Sequence, residues 1–193
     1  ALSMLLTIMG GFVLSIKKLP GRTAFTFFFV FTMMFSGGLV PTFLVVSRLG
    51  MIDTLLALFV PGAISTYNMI LMRNFFQSVP ESLYEAASID GESLPGYVFL
   101  ILLPLSGAAI ATITLFYAVS YWNDYFTSII YIRNSRLWPM QTLLRQVLQT
   151  AQMENMMYDD ARKSVAPETL KDAMIVITMI PILCVYPFVQ KHF

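Results

Sequence analysis

Charge is what this sequence has least of. Only 12% of its 193 residues are charged, against about a quarter in a soluble domain, while 57% are hydrophobic and the mean hydropathy is +0.71. Such a chain is a membrane protein. Its net charge of +1 leaves no basic footprint for nucleic acid. A single cysteine, Cys184, excludes an intramolecular disulfide and a cysteine metal cluster, and within its apolar run it reads as a small buried hydrophobe. The single histidine, His192, is terminal and reads as a solvated end, so no Ser-His or Cys-His pair can be built on it. The long uncharged runs contain no aspartate, which excludes an aspartyl intramembrane protease. Gly91 and Gly96 have Walker A spacing, but Tyr97 and Val98 stand where Lys and Ser/Thr must reach phosphate and Mg²⁺. The expectation is a chain without catalytic residues, metal or cofactor of its own.

What the sequence has in abundance is apolar length. Five stretches are candidates for crossing a bilayer, each judged against the roughly 20 residues a span requires. Residues 1–16 are apolar but short, and begin without the basic region or cleavage site of a signal peptide. Residues 23–47 carry no charge, with Ser36-Gly37-Gly38 and Pro41 placed to loosen or bend the run. Residues 54–72 are broken by Pro61-Gly62 and end at Arg73; residues 97–122 carry Pro104 near their start; residues 173–190 are interrupted by Pro181 and Pro187. Between the last two lies an amphipathic stretch, 141–152, in which Met140, Leu143, Leu144, Val147 and Leu148 recur at helical spacing. The fold class expected is an all-α polytopic helical bundle.

Basic residues in short loops set the orientation. Lys17, Lys18 and Arg22 put the first loop in the cytoplasm. Alternation then puts Arg48 outside, the loop 73–96 inside and the long segment 123–172 outside. That outer segment carries Arg133, Arg136, Arg145, Arg162, Lys163 and Lys171, but its length of roughly 50 residues is near the limit where the rule weakens.

The loop 73–96 holds the most acidic short stretch between two apolar runs. Ser78-Val79-Pro80-Glu81 has the form of a capping box, Pro80 suits a first helical turn, and Gly91 suits the left-handed residue that closes a helix. A helix over about 79–90 is expected. Glu81 and Glu85 share a face with Ser88, with no Lys or Arg nearby in sequence to offset them. Ala86 and Ala87 are small enough for another backbone to approach. This is either a docking surface for a basic partner or a solvated loop helix.

Glu85-Ala86-Ala87, three residues, Gly91, nine residues, then Ile101-x-Leu103-Pro104 resembles the full EAA signature of binding-protein-dependent ABC importer permeases. Arg73-Asn74-Phe75-Phe76 before it and Trp122-Asn123-Asp124 after it are similar to the maltose-type carbohydrate permeases, and the likeness runs through most of the chain. The resemblance implies a single permease domain lacking the family's first span and a few terminal residues. It implies that the acidic loop is a coupling helix docked in a cleft of a cytoplasmic ATPase subunit, with Glu85 meeting a basic residue there. Glu81, Leu83, Tyr84, Glu85, Ala86, Ala87, Ile89, Asp90 and Gly91 form the expected contact set. The implied partners are a second permease in a heterodimer, two ATPase subunits that bind ATP and Mg²⁺, and an extracytoplasmic solute-binding protein. The implied setting is the bacterial inner membrane with its lipid.

Thr114, Tyr117, Tyr121 and Asp124 lie on one helical stripe. With Tyr67, Asn68 and Asn123 they are candidates to line a sugar path; hydrogen bonding between helices, or an interfacial aromatic belt, is the blander and favoured explanation of the stripe. The segment 132–140 and its loop resemble a subgroup importing complex oligosaccharides, including acidic ones such as alginate fragments. Arg133, Arg136 and Arg145 are candidates for docking an acidic binding protein or favouring an acidic sugar. Rival readings are a membrane-embedded enzyme and an ion-gradient-driven transporter or channel. The first lacks catalytic constellations, and the second would place ionisable residues inside spans.

Overall fold

The computed structural model describes residues 1–157 and 165–190, with side chains described through 150, at 169 and over 172–184. Arg162, Lys163, Lys191 and His192 lie outside the described residues, as does the side chain of Lys171. No strand occurs among the described residues, and the all-α expectation holds. The chain divides into two compact units, one built on residues 1–42 and 61–117, the other of residues 43–60 and 118–191.

In the first unit, α1 (Leu2–Ser15) and α5 (Thr66–Ser78) pack side by side. Gly11 makes this possible: a Cβ there would lie 3.0 Å from Met72 Cγ and 3.2 Å from the Arg73 nitrogen. Small residues let helices approach in this way. Phe12 meets Phe76 edge-on at 6.4 Å, and Gln77 donates to the Ser15 carbonyl at 3.4 Å. These pairings advance together along both helices, so α1 and α5 run parallel and end beside each other. Arg22, opening α2 (Arg22–Met34), turns back to donate from Nε to the Leu14 carbonyl at 2.9 Å. That satisfies one of the carbonyls a helix end leaves free. At the other end of the pair, the Tyr117 hydroxyl pairs with Thr7 Oγ1 at 2.7 Å and accepts from the Ser65 N–H at 3.2 Å. Ser65 also caps α5, accepting from the Asn68 N–H.

Several expected spans are broken. Residues 23–47 form α2 and α3 (Leu39–Arg48), bent by 110°. Gly38 sits there at φ 87° and donates to Ser36 Oγ, so the two glycines bend the run much further than a loosened helix would. Residues 54–72 hold the four-residue α4 (Leu56–Phe59), a break at Pro61-Gly62 and the start of α5, which runs past Arg73 to Ser78. The fourth run, preceded by α7 (Leu94–Gly96), forms a π-helical stretch (Tyr97–Leu102), α8 (Leu103–Leu105) and α9 (Gly107–Asn123), with a bend of 80° between Leu94–Leu105 and α9. Among the described residues no single helix is long and apolar enough to cross a membrane, whereas these two bent pairs pass by length and composition.

In the second unit, α10 (Phe126–Tyr131) opens with the Asp124 carboxylate accepting from the Thr127 N–H at 3.1 Å. Tyr131 stacks on Phe43 at 6.0 Å beside buried Val46 and Ala57. A 3₁₀ turn (Ser135–Leu137) leads to α11 (Met140–Met157), which packs on α12 (Val165–Gln190). The expected amphipathic helix is therefore present and longer than 141–152. It buries Thr142 and Leu144, while Met140 and Leu143 stay exposed. Cys184 on α12 is exposed rather than buried. In a chain this apolar, hydrophobicity no longer separates inside from outside, because lipid accepts apolar side chains as readily as a core does.

Candidate coupling helix and its docking face

Residues Glu81–Ile89 form α6. The capping box does not: the Ser78 hydroxyl donates to the Phe75 carbonyl at 2.7 Å within α5, and Pro80 is the residue before the first turn, with no side-chain cap. Two helices meet across Val79-Pro80, so Ser78 finishes the first instead of opening the second. The other end forms as the sequence predicts. Gly91 has φ 79°, its N–H donates to the Ser88 carbonyl at 3.2 Å, and the Glu92 N–H donates to the Ala87 carbonyl at 2.9 Å. This is the paired Schellman closure, which requires a left-handed residue at the Gly91 position.

The faces of α6 differ more than its sequence indicates. Ala87 is 5% exposed, and Tyr84 meets the ring of buried Tyr97 edge-on at 5.1 Å. Ala87 and Tyr84 thus hold α6 to its own unit, while Leu83 is exposed. Ile89, by contrast, is 85% exposed, an apolar side chain carried at the tip of the helix. Helical spacing puts Glu85, Ala86 and Ser82 on the same outward side, and all are exposed, as is Asp90. Ser88 is exposed too, its hydroxyl donating to the Tyr84 carbonyl.

The acidic face is not without internal partners. Glu81 lies 3.7 Å from Lys17 Nζ and 4.0 Å from Lys18 Nζ. All three side chains are at least half exposed, so the pairs contribute little, between about 0 and 1 kcal/mol. Their geometric meaning is larger: the Lys17-Lys18 turn and α6 occupy the same end of the parallel α1–α5 pair. Glu85, in contrast, makes no ion pair or hydrogen bond among the described residues. Between α6 and the ends of α1 and α5 lies a cavity of about 300 Å³ with Phe12, Ile16, Phe76, Val79 and Tyr97 in its wall and Lys17, Glu81 and Glu85 at its edge. The helix is held at a few points over open space.

The other candidate residues scatter. Asn68 and Tyr117 are buried, Tyr117 in the hydrogen bonds between α1 and the start of α5. Tyr67 is 57% exposed, and Thr114 and Asn123 are exposed as well. Tyr121 is half-buried against Phe59. Arg133, Arg136 and Arg145 are all exposed, and the Arg145 guanidinium lies over the Tyr125 ring at 4.4 Å. Sequence reasoning missed the Lys17–Glu81 pair, the Gly11 contact and Asp53, whose role is described below.

Residues 3–193 match the family described as the binding-protein-dependent transport system inner membrane component. The chain belongs to this family. It is 51% identical over 195 residues to the polygalacturonan/rhamnogalacturonan transport system permease protein YtcP of Bacillus subtilis, covering 100% of this chain and 68% of that protein. It is 45% identical over 194 residues to the protein LplC of the same organism, covering 100% and 66%. A solved structure of a bacterial ABC transporter involved in the import of the acidic polysaccharide alginate contains a chain with TM-score 0.88 and 34% identity, covering 100% of this chain and 69% of that one. The chain thus spans about two thirds of the length of these relatives. Of the residues that resemble the EAA signature, Glu85-Ala86-Ala87 lie on α6 and Gly91 closes it, while Ile101, Leu103 and Pro104 lie in the π-helical stretch and α8.

Proposed function

We propose that the chain is the non-catalytic permease subunit of an ABC importer for oligosaccharides, with acidic sugars as the favoured substrate class. The observation that carries the coupling role is the outward face of α6, where unpaired Glu85 and highly exposed Ile89 stand beside each other on a helix fixed by buried Ala87 and the Tyr84–Tyr97 contact. That face fits a cleft with a basic residue and an apolar floor on a cytoplasmic ATPase subunit. ATP and Mg²⁺ act in that partner. ATP closes the ATPase pair, α6 follows as a rigid lever, and the pathway between this chain and a second permease turns outward, a population shift driven by differential binding. Tyr67, Thr114 and Asn123 are the candidates for the sugar path, at the level of a multi-pass protein of the inner membrane. Arg133 and Arg136 are the candidates for docking a solute-binding protein outside. The substrate class is supported by the acidic polysaccharide named for the solved transporter.

Uptake of labelled oligosaccharides tests this. Inside-out loading is avoided by using right-side-out vesicles carrying the full transporter and its binding protein. Accumulation of oligogalacturonides or alginate oligomers should require internal ATP and persist with a protonophore present. Uptake abolished by the protonophore at constant ATP would favour the ion-gradient reading.

A further inference from the structure

Asp53 is the one non-glycine residue with positive φ among the described residues, at 61°. It lies within the connection between α3 and α4, and three hydrogen bonds hold it there. Its N–H donates to the Tyr131 carbonyl at 2.9 Å, and its Oδ1 accepts from the N–H groups of Arg133 at 3.0 Å and Asn134 at 2.9 Å. One carboxylate oxygen thus gathers two successive backbone donors of the chain reversal that follows α10. Hydrogen bonds to an ionised acceptor are shorter and stronger than neutral ones. The far side of the reversal is fixed as well: Asn134 Oδ1 accepts from the Arg136 N–H at 3.1 Å, and Trp138 Nε1 donates to the Ile132 carbonyl at 3.0 Å. Tyr131 and Ile132 at its base are 5% and 2% exposed.

What this reversal carries outward is Arg133 and Arg136, both exposed and neither in an ion pair among the described residues. Two exposed guanidiniums on a loop tied at both sides lose less freedom on binding than the same charges on a loose loop. They fit a carboxylate-bearing surface.

We propose that Asp53 is a positioning residue that holds the Arg133–Arg136 reversal as a pre-formed basic docking surface for an acidic face of the extracytoplasmic solute-binding protein. This rests on the reading above that this segment lies outside and meets that protein. Asp53 touches no partner itself; it acts through the backbone of Arg133 and Asn134.

The test uses the reconstituted transporter with its binding protein, titrating ATPase stimulation. Asp53→Ala is expected to raise the binding-protein concentration for half-maximal stimulation about ten-fold, with the rate at saturation retained. Asp53→Asn, which tolerates the left-handed backbone and keeps a neutral acceptor, should lie between wild type and alanine, and gives the answer should the alanine variant fail to assemble. Trypsin should cleave after Arg133 and Arg136 faster in both variants. The paired reversal Arg133→Glu/Arg136→Glu separates the two ideas. If it leaves the half-maximal concentration unchanged, the docking reading fails, and the proposal with it. If it raises that concentration while both Asp53 variants titrate as wild type, docking stands and the positioning role is overturned. A shift in the sugar concentration required, at fixed binding protein, would assign the arginines to the substrate and also overturn it.

Discussion

Glu85→Lys is expected to abolish stable assembly with the ATPase subunit, while Glu81→Gln on the same helix leaves assembly close to wild type. The two carboxylates stand one turn apart and read alike in sequence. Glu81 is already offset by Lys17 and Lys18 at 3.7 and 4.0 Å, so its charge is not available in full to a partner. Exposed pairs of this kind contribute at most about 1 kcal/mol, so their loss barely alters the fold. Glu85 has no ion pair or hydrogen bond among the described residues and faces outward with Ile89. In a docked, partly desolvated interface, truncating one member of a charge pair costs about 2–5 kcal/mol, much of it from the charge left unpaired. Reversing the sign adds repulsion. Affinity purification of the ATPase with tagged permease variants measures the difference. Equal retention of the ATPase by Glu85→Lys and Glu81→Gln would show that the outward face is not the contact.

The second large effect is expected at Gly91. Proline there has three faults. Its ring fixes φ near −65°, whereas Gly91 sits at 79°. It removes the N–H that donates to the Ser88 carbonyl at 3.2 Å. It also disfavours Asp90, whose φ of −74° and ψ of 3° lie close to helical, since a residue before proline is pushed towards extended backbone. The Schellman closure is lost, and with it the fixed direction of the last turn that carries Ile89. Coupling free energies of about 1–3 kcal/mol correspond to roughly 5- to 150-fold effects, so transport per ATP hydrolysed should fall about ten-fold or more even where the complex assembles. Gly91→Ala provides the contrast. A Cβ at this position meets no atom within 4 Å, so the left-handed backbone is the main cost, about 1–2 kcal/mol, and transport per ATP should stay within a few-fold of wild type. Equal losses for alanine and proline would assign the effect to something other than helix closure.

These contrasts also mark how far the sequence could be read. Gly91 and its closure were legible because a left-handed residue after a short helix is a local requirement with few solutions. The Gly37-Gly38 break was legible as a weak point, but not its 110° extent, since local chemistry says where a helix stops and not where the chain goes next. The stripe through Thr114 and Tyr117 shows the limit of periodicity. Spacing places the two together, yet Thr114 is exposed and Tyr117 is buried against Thr7 and Ser65, because α1 covers one part of the stripe only. The Lys17–Glu81 pair joins segments distant in sequence. Its signal was present, since the orientation argument put the basic turn and the acidic helix on one side of the membrane. Asp53 had no signal at all: a lone aspartate in a short loop does not announce which backbone it will hold.

The central claim, that the outward face of α6 docks on the ATPase, is tested most directly by cysteine cross-linking in a Cys184→Ala background. A cysteine replacing Ile89 should cross-link to the ATPase subunit in the assembled transporter and be shielded from alkylation there. One replacing Ala87, which is turned into the permease and 5% exposed, should do neither. An Ile89 cysteine that forms no cross-link and is alkylated at the same rate with and without the ATPase would contradict the account.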